Sequence, residues 1–201
     1  MKQINKYIVE RLHINKDIKS YNYHPKTYDE LKELVDKLIK ERGNEADLND
    51  IDTSEIKYME KLFYKSEFNG DISNWNVSNV KDMTSMFEAS KFNGDISEWD
   101  VSNVKYMGHM FSSSSFTGEN GDLSDWNVCN VQYMHYMFYN SKFNGDISNW
   151  NVSNVKTMNS MFYKSKFNGD ISNWNVSNVT NMELMLNSAP LQKNPPKWYK
   201  N

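Results

Sequence analysis

The chain has 201 residues, with 23 Lys/Arg against 26 Asp/Glu and a formal net charge of −3. Residues 1–50 hold ten of each sign, so the acidic excess lies in the remainder. Read along the chain the charges are mixed: no basic stripe points to nucleic acid and no acidic tail to a nucleic-acid mimic. The single cysteine, Cys129, excludes an internal disulfide framework. Apolar content is only 38%, yet six Trp, ten Phe and twelve Met are present. Such large side chains can close a narrow core at a few per turn of chain.

Residues 1–44 predict a helical hairpin. Met1 to Lys6 leads into an amphipathic stretch, with Ile4, Ile8 and Leu12 on one helix face. It lacks a signal-peptide core, and no segment reaches the ~20 apolar residues of a membrane span. A cytoplasmic protein without membrane insertion is expected. Thr27-Tyr28-Asp29-Glu30 forms a capping box opening a second helix, with Leu31, Leu34, Val35 and Leu38 as its stripe. Lys40 and Arg42 suit its C-terminal end, and Gly43 its stop. The hairpin is expected to seal the first coil of a repeat array.

From about residue 45 the chain repeats itself. Trp75, Trp99, Trp126, Trp150, Trp174 and Trp198 recur at spacings of 24, 27, 24, 24 and 24 residues. The unit reads Phe-Asn-Gly-Asp-Ile-Ser-x-Trp-x-Val-Ser-Asn-Val-x-x-Met-x-x-Met-Phe, as from Phe68 to Phe87, and recurs from Phe92, Phe143 and Phe167. The copy at Phe116 carries three extra residues. Asn69-Gly70 signals a turn in which Gly tolerates positive φ. Ile72 to Val77 predicts a short strand with Trp75 and Val77 on one face. Ser78 then caps a helical turn carrying Val80, Met83, Met86 and Phe87 at three- and four-residue spacings. The fold class expected is α/β: a leucine-rich-repeat-like solenoid of ~24-residue strand-turn-helix coils over residues 45–189, because a single coil cannot bury its own apolar face. Residues 190–201 form a C-terminal capping segment, where Pro190, Pro195 and Pro196 stop the stacking.

This unit resembles the short repeat of BspA-like leucine-rich-repeat surface proteins, found in bacteria including mycoplasmas and, in similar arrays, in gut bacteria and their phages. The resemblance covers about residues 45–198. It implies an LRR-like solenoid used for protein binding, often adhesion to host proteins, and no catalytic residues. Surface members carry secretion or lipoprotein signals, which this N-terminus does not resemble, so a cytoplasmic or phage-associated role is expected.

Packing demands fall equally on every copy, so differences between copies mark candidate binding residues. Aligned helical segments read Lys81-Asp82, Lys105-Tyr106, Gln132-Tyr133, Lys156-Thr157 and Thr180-Asn181, followed by Thr84-Ser85, Gly108-His109, His135-Tyr136, Asn159-Ser160 and Glu183-Leu184. The two middle copies concentrate Tyr106, His109, Tyr133, His135, Tyr136 and Tyr139 beside the insertion. Tyr clusters offer large contact area at little entropic cost, so these six are the candidate partner-binding residues; the alternative is that Tyr only shields core edges. His109 and His135 lack Cys or carboxylates at metal-ligand spacing. The recurring Asp71, Asp95, Asp122, Asp146 and Asp170 read as turn caps, with calcium the alternative. Cys129 stands where Ser78 stands.

The function expected is non-enzymatic protein–protein recognition, by a possible phage product acting on a host component, with no cofactor and no metal. The alternative is a passive structural part of a virion or cell-surface assembly.

Overall fold

The computed structural model describes residues 21–200; the expected first helix, marked by Ile4, Ile8 and Leu12, lies outside them. Helix α1, Tyr28–Arg42, starts where the capping box predicts: the Thr27 hydroxyl accepts the Glu30 N–H at 3.3 Å, and the Glu30 carboxylate accepts the Lys26 N–H at 2.6 Å. Gly43, at φ +91, ends it and returns its N–H to the Ile39 carbonyl, a conformation that favours glycine. Leu31, Val35 and Leu38 are fully buried, in one core with Leu48, Ile51 and Ile56. Arg42 grips both Asp50 oxygens at 3.0 Å, tying the end of α1 to the first coil of the array.

The repeat does not build the expected strand-turn-helix coils. Among the described residues the regular elements are α1 and one 3-10 helix, Pro190–Lys193, and the β pairings are isolated parallel bridges rather than a sheet. The α/β, leucine-rich-repeat-like solenoid is therefore replaced by largely irregular, turn-based backbone stacked in register.

Two causes act in each copy. Across Ile72–Val77, the Asp71 and Asn76 side chains accept the Ser73 and Ser78 N–H groups at 2.9 and 3.1 Å. Local side-chain acceptors of this kind curl a chain that would otherwise extend. The turns close with Trp75 N–H on the Ile72 carbonyl and Val80 N–H on the Val77 carbonyl, at 3.1 and 2.9 Å. Across Val80–Phe87, the expected helix gives way to β-turns joining Met86 N–H to Met83 and Ser90 N–H to Phe87, at 3.1 and 3.2 Å. Ser85 and Ala89 take φ +57 and +55 at their third positions, as type II turns require and helices forbid.

What these turns allow is a ladder between coils. Met83, Ser85, Phe87 and Ala89 donate their N–H groups to the carbonyls of Tyr106, Gly108, Met110 and Ser112, at 2.8–2.9 Å. The same four-bond pattern starts at Met59, Met107, Met134 and Met158. An amide bonded to the next coil is unavailable to the residue four back, so ladder and helix exclude each other. Val80, Met83, Met86 and Phe87 are buried all the same, since alternating turns bring the same positions inward.

The other side of each coil is joined mainly through side chains, with backbone bonds added at the first coil, where Leu48 N–H reaches Asp71 at 2.9 Å and Asp71 N–H reaches Ala46 at 3.0 Å. Each repeat Trp donates its indole N–H to a carbonyl of the preceding coil, as Trp75 does to Leu48 at 2.9 Å and Trp198 to Ile171 at 3.0 Å. Asn79, Asn103, Asn130, Asn154 and Asn178 donate their carboxamides likewise, at 2.7–2.8 Å. They form a second ladder, on the exposed surface. Phe63, Phe87, Phe111, Phe138 and Phe162 stack at 5.5–5.7 Å, whereas the Trp rings from Trp126 onward stack at 6.5 Å. The rings thus spread toward the side bridged by side chains, so the array curves with its backbone ladder innermost.

Gly70 is required for a reason other than the one expected. Its φ is not positive; instead a Cβ there would lie 2.0 Å from the Ala46 carbonyl oxygen and 2.7 Å from the Phe68 ring. The insertion is absorbed locally: Gly118 takes φ +81, Asn120 bonds the Asn93 carbonyl at 2.7 Å, and Trp126 regains the register by reaching Ile96 at 3.1 Å.

Ala89 is exposed and its methyl is the only group strained by its φ of +55. Left-handed backbone costs a non-glycine residue about 1–2 kcal/mol, partly offset in glycine by unfolded-state entropy. In equilibrium urea unfolding, Ala89→Gly is expected to raise the unfolding free energy slightly, and the β-branched Ala89→Val to lower it by about 1 kcal/mol or more.

Candidate functional site

The ladder segments place every second or third side chain outward in columns one coil apart. Parallel bridges run Tyr58, Asp82, Tyr106, Tyr133, Thr157, Asn181. A neighbouring column holds Ser85, His109, Tyr136, Ser160 and Leu184, each at positive φ, its two serines buried and its larger side chains reaching the surface. All six candidate residues lie on this face, and the ladder brings them into ring contact.

Tyr106 and Tyr133 stack with centroids 5.1 Å apart and planes 5° from parallel. His109 stacks on Tyr136 at 4.7 Å and meets His135 edge-on at 5.4 Å. Tyr136 then leans on Tyr139 at 5.6 Å. Two neighbours escaped the sequence reading. Tyr163 stacks under Tyr139 at 5.3 Å, extending the cluster by one coil; its position five residues after Met158 matches that of Tyr139 after Met134, which is the signal that finds it. Gly108 is the second. A Cβ there would sit 2.6 Å from the His135 ring atoms Cε1 and Nε2, so the missing side chain is what lets His135 lie across the backbone of the preceding coil.

The cluster is half-open to solvent. Tyr106 is 42% exposed, while Tyr133, His135, Tyr136 and Tyr139 are half-buried. Burial pulls the His109 pKa below its ordinary value against the opposing pull of the Glu88 carboxylate 3.9 Å away. Burial, then the His109 charge, lowers that of His135. Both imidazoles are therefore neutral at pH 7, offering one donor and one acceptor each.

The other candidates resolve into local structure. Asp71, Asp95, Asp122, Asp146 and Asp170 each accept the N–H of the serine two residues on, at 2.8–2.9 Å. That bond from Ser148 holds the Asp146 carboxyl below the usual range, and Ser172 does the same for Asp170. The Ser78 type of position caps no helix but donates its N–H to the Asn76 side chain, and Cys129 does the same: its N–H bonds Asn127 at 3.3 Å and its carbonyl accepts Asn154 at 2.7 Å. Among the described residues no group of three or more His, Cys, Asp or Glu is placed to hold a metal ion, and no helix is long and apolar enough to cross a membrane.

A family model described as "Mycoplasma protein of unknown function, DUF285" matches residues 29–120 and again 113–198. No curated protein and no solved structure matches the chain.

Neutral His is the form the fold prefers, which sets the sign of the pH effect. The two histidines contribute no loss above their unfolded pKa of about 6.5, and folding weakens as pH falls below that value, where the unfolded chain takes up protons more readily. Gly108→Ala displaces the His135 ring into solvent and is expected to raise its titration midpoint toward 6.5; NMR titration of the His135 ring signals reads this directly.

Proposed function

We propose, from the premise that the chain belongs to the Mycoplasma family of unknown function DUF285, that it is a non-enzymatic scaffold for protein–protein recognition, kin to BspA-like surface repeats in its repeat unit. The observation that carries this is the cluster on the ladder face. Core positions repeat almost unchanged from coil to coil, whereas the outward columns change residue type and gather Tyr106, His109, Tyr133, His135, Tyr136 and Tyr139 in two adjacent coils. Rings held against one another on backbone that is itself cross-linked are already ordered, so little entropy is lost when a partner covers them. Their hydroxyls and imidazole nitrogens supply directional bonds at the rim of an apolar surface. The reading as edge-shielding alone is disfavoured by the exposure of Tyr106 at 42%, since its ring covers no core edge to that extent.

The test is capture of partners from native-host lysate by the tagged chain and by a variant carrying Tyr106→Ser, Tyr133→Ser and Tyr136→Ser. Each truncated anchor at a binding hot spot costs about 2 kcal/mol or more, so a stoichiometric partner of the wild type is expected to be absent from the variant. Equal recovery by both, with the variant shown folded by its thermal transition, would refute the proposal.

A further inference from the structure

The repeat sorts its charges by side. The stretches joined through side chains, residues 68–80, 92–104, 116–131, 143–155 and 167–179, contain nine Asp/Glu and no Lys or Arg. The ladder stretches of the three coils that carry the aromatic cluster, residues 105–115, 132–142 and 156–166, contain five lysines and no Asp or Glu. Apolar side chains of both halves meet in one core, so their polar side chains point to opposite surfaces. Backbone bonds align the lysines: Lys105 N–H joins Lys81 and Lys156 N–H joins Gln132 along one edge of the cluster, and Lys166 N–H joins Ser141 along the other. Carboxylates on the ladder stand in the flanking coils: Asp82, bridged to Tyr106, and Glu88, 3.9 Å from His109, on one side, and Glu183 on the other. Aromatic columns thus run between two lysine-bearing edges on the inner curve, and all five lysines are exposed.

We infer that this face docks an acidic protein segment, with Asp and Glu side chains meeting the lysine edges and its backbone lying over the tyrosines. This rests on the recognition reading above and names the chemistry of its partner. Three observations select it. The lysines of the cluster zone have no carboxylate on their own coils' ladder face, so an incoming acid breaks no ion pair there. The tyrosines present edges and hydroxyls, which donate to carboxylates and carbonyls. Two of the rings are covered: Tyr133 by Tyr106 on one side, with the Lys156 ammonium 6.0 Å from its centroid, and Tyr163 by Tyr139, with Lys164 at 5.3 Å. A nucleobase needs an open ring face to stack on, so single-stranded nucleic acid, which would also suit the lysines, fits this surface less well. The carboxylates of the opposite surface leave a second copy as the other acidic occupant.

The experiment titrates the full chain with a fluorescein-labelled peptide of repeating Glu-Ser-Asp-Gly units, its amide counterpart Gln-Ser-Asn-Gly, and an oligo-dT of equal length, by fluorescence anisotropy. The acidic peptide is expected to bind at least about tenfold tighter than the other two at low salt, and to lose that margin near 1 M salt, where screening reaches about 3 Å. A variant with Lys105→Gln, Lys156→Gln and Lys164→Gln, checked for folding by its thermal transition, should lose the margin as well. Equal binding of acidic and amide peptides, with binding still reduced by the three Tyr→Ser changes, overturns the inference and leaves the recognition reading intact. Acidic-peptide binding that ignores the Tyr→Ser changes counts against the recognition reading. Tighter binding of oligo-dT, or no peptide binding alongside concentration-dependent self-association in sedimentation, overturns the inference in favour of those occupants.

Discussion

Everything in this molecule depends on which carbonyl each amide of the Met-x-x-Met-Phe segment chooses. Met83, Ser85, Phe87 and Ala89 bond the following coil, and the residues between them close turns within their own coil. The turns that accompany that choice place two non-glycine residues per copy in left-handed backbone, at a cost of about 1–2 kcal/mol each. Neighbouring coils, sharing backbone bonds, stacked Phe rings and an indole N–H, offset it. Stability therefore belongs to the stack rather than to the unit.

The same ladder shapes the functional surface. It draws the coils together on one side while indole and carboxamide groups hold them further apart on the other, so the ladder lies on the inside of the curve. Residues one coil apart come within ring contact there, which is how Tyr106 finds Tyr133 and His109 finds Tyr136. The cluster is a consequence of register: substitutions scattered in sequence become a continuous patch because the backbone repeats beneath them.

Much of this was legible in the sequence. The 24-residue period, the buried identity of the Trp, Met and Phe columns, the cap at Thr27 and the stop at Gly43, and the aspartate caps all follow from local chemistry, and each is where the residues put it. The backbone type was not legible. Val80, Met83, Met86 and Phe87 have helical spacing, yet linked β-turns bury the same positions, and the competing acceptor for Phe87 N–H lies 23 residues away at Met110. Nothing in the local pattern marks Ser85 or Ala89 as left-handed, because neither is Gly, Asn or Asp. The charge pattern was hidden for a related reason: a chain that crosses from one side to the other twice per coil mixes its charges in sequence while separating them in space.

The central claim is that the repeats are joined by alternate amides of the Met83–Ala89 segment and its equivalents, in place of helical turns. Scalar coupling through hydrogen bonds, measured by NMR on the isotope-labelled chain, tests it at the bond itself. The account predicts couplings from the Ser85 nitrogen to the Gly108 carbonyl carbon and from the Phe87 nitrogen to that of Met110. Coupling from Phe87 to Met83 instead, the bond of an α-helical turn, would contradict it.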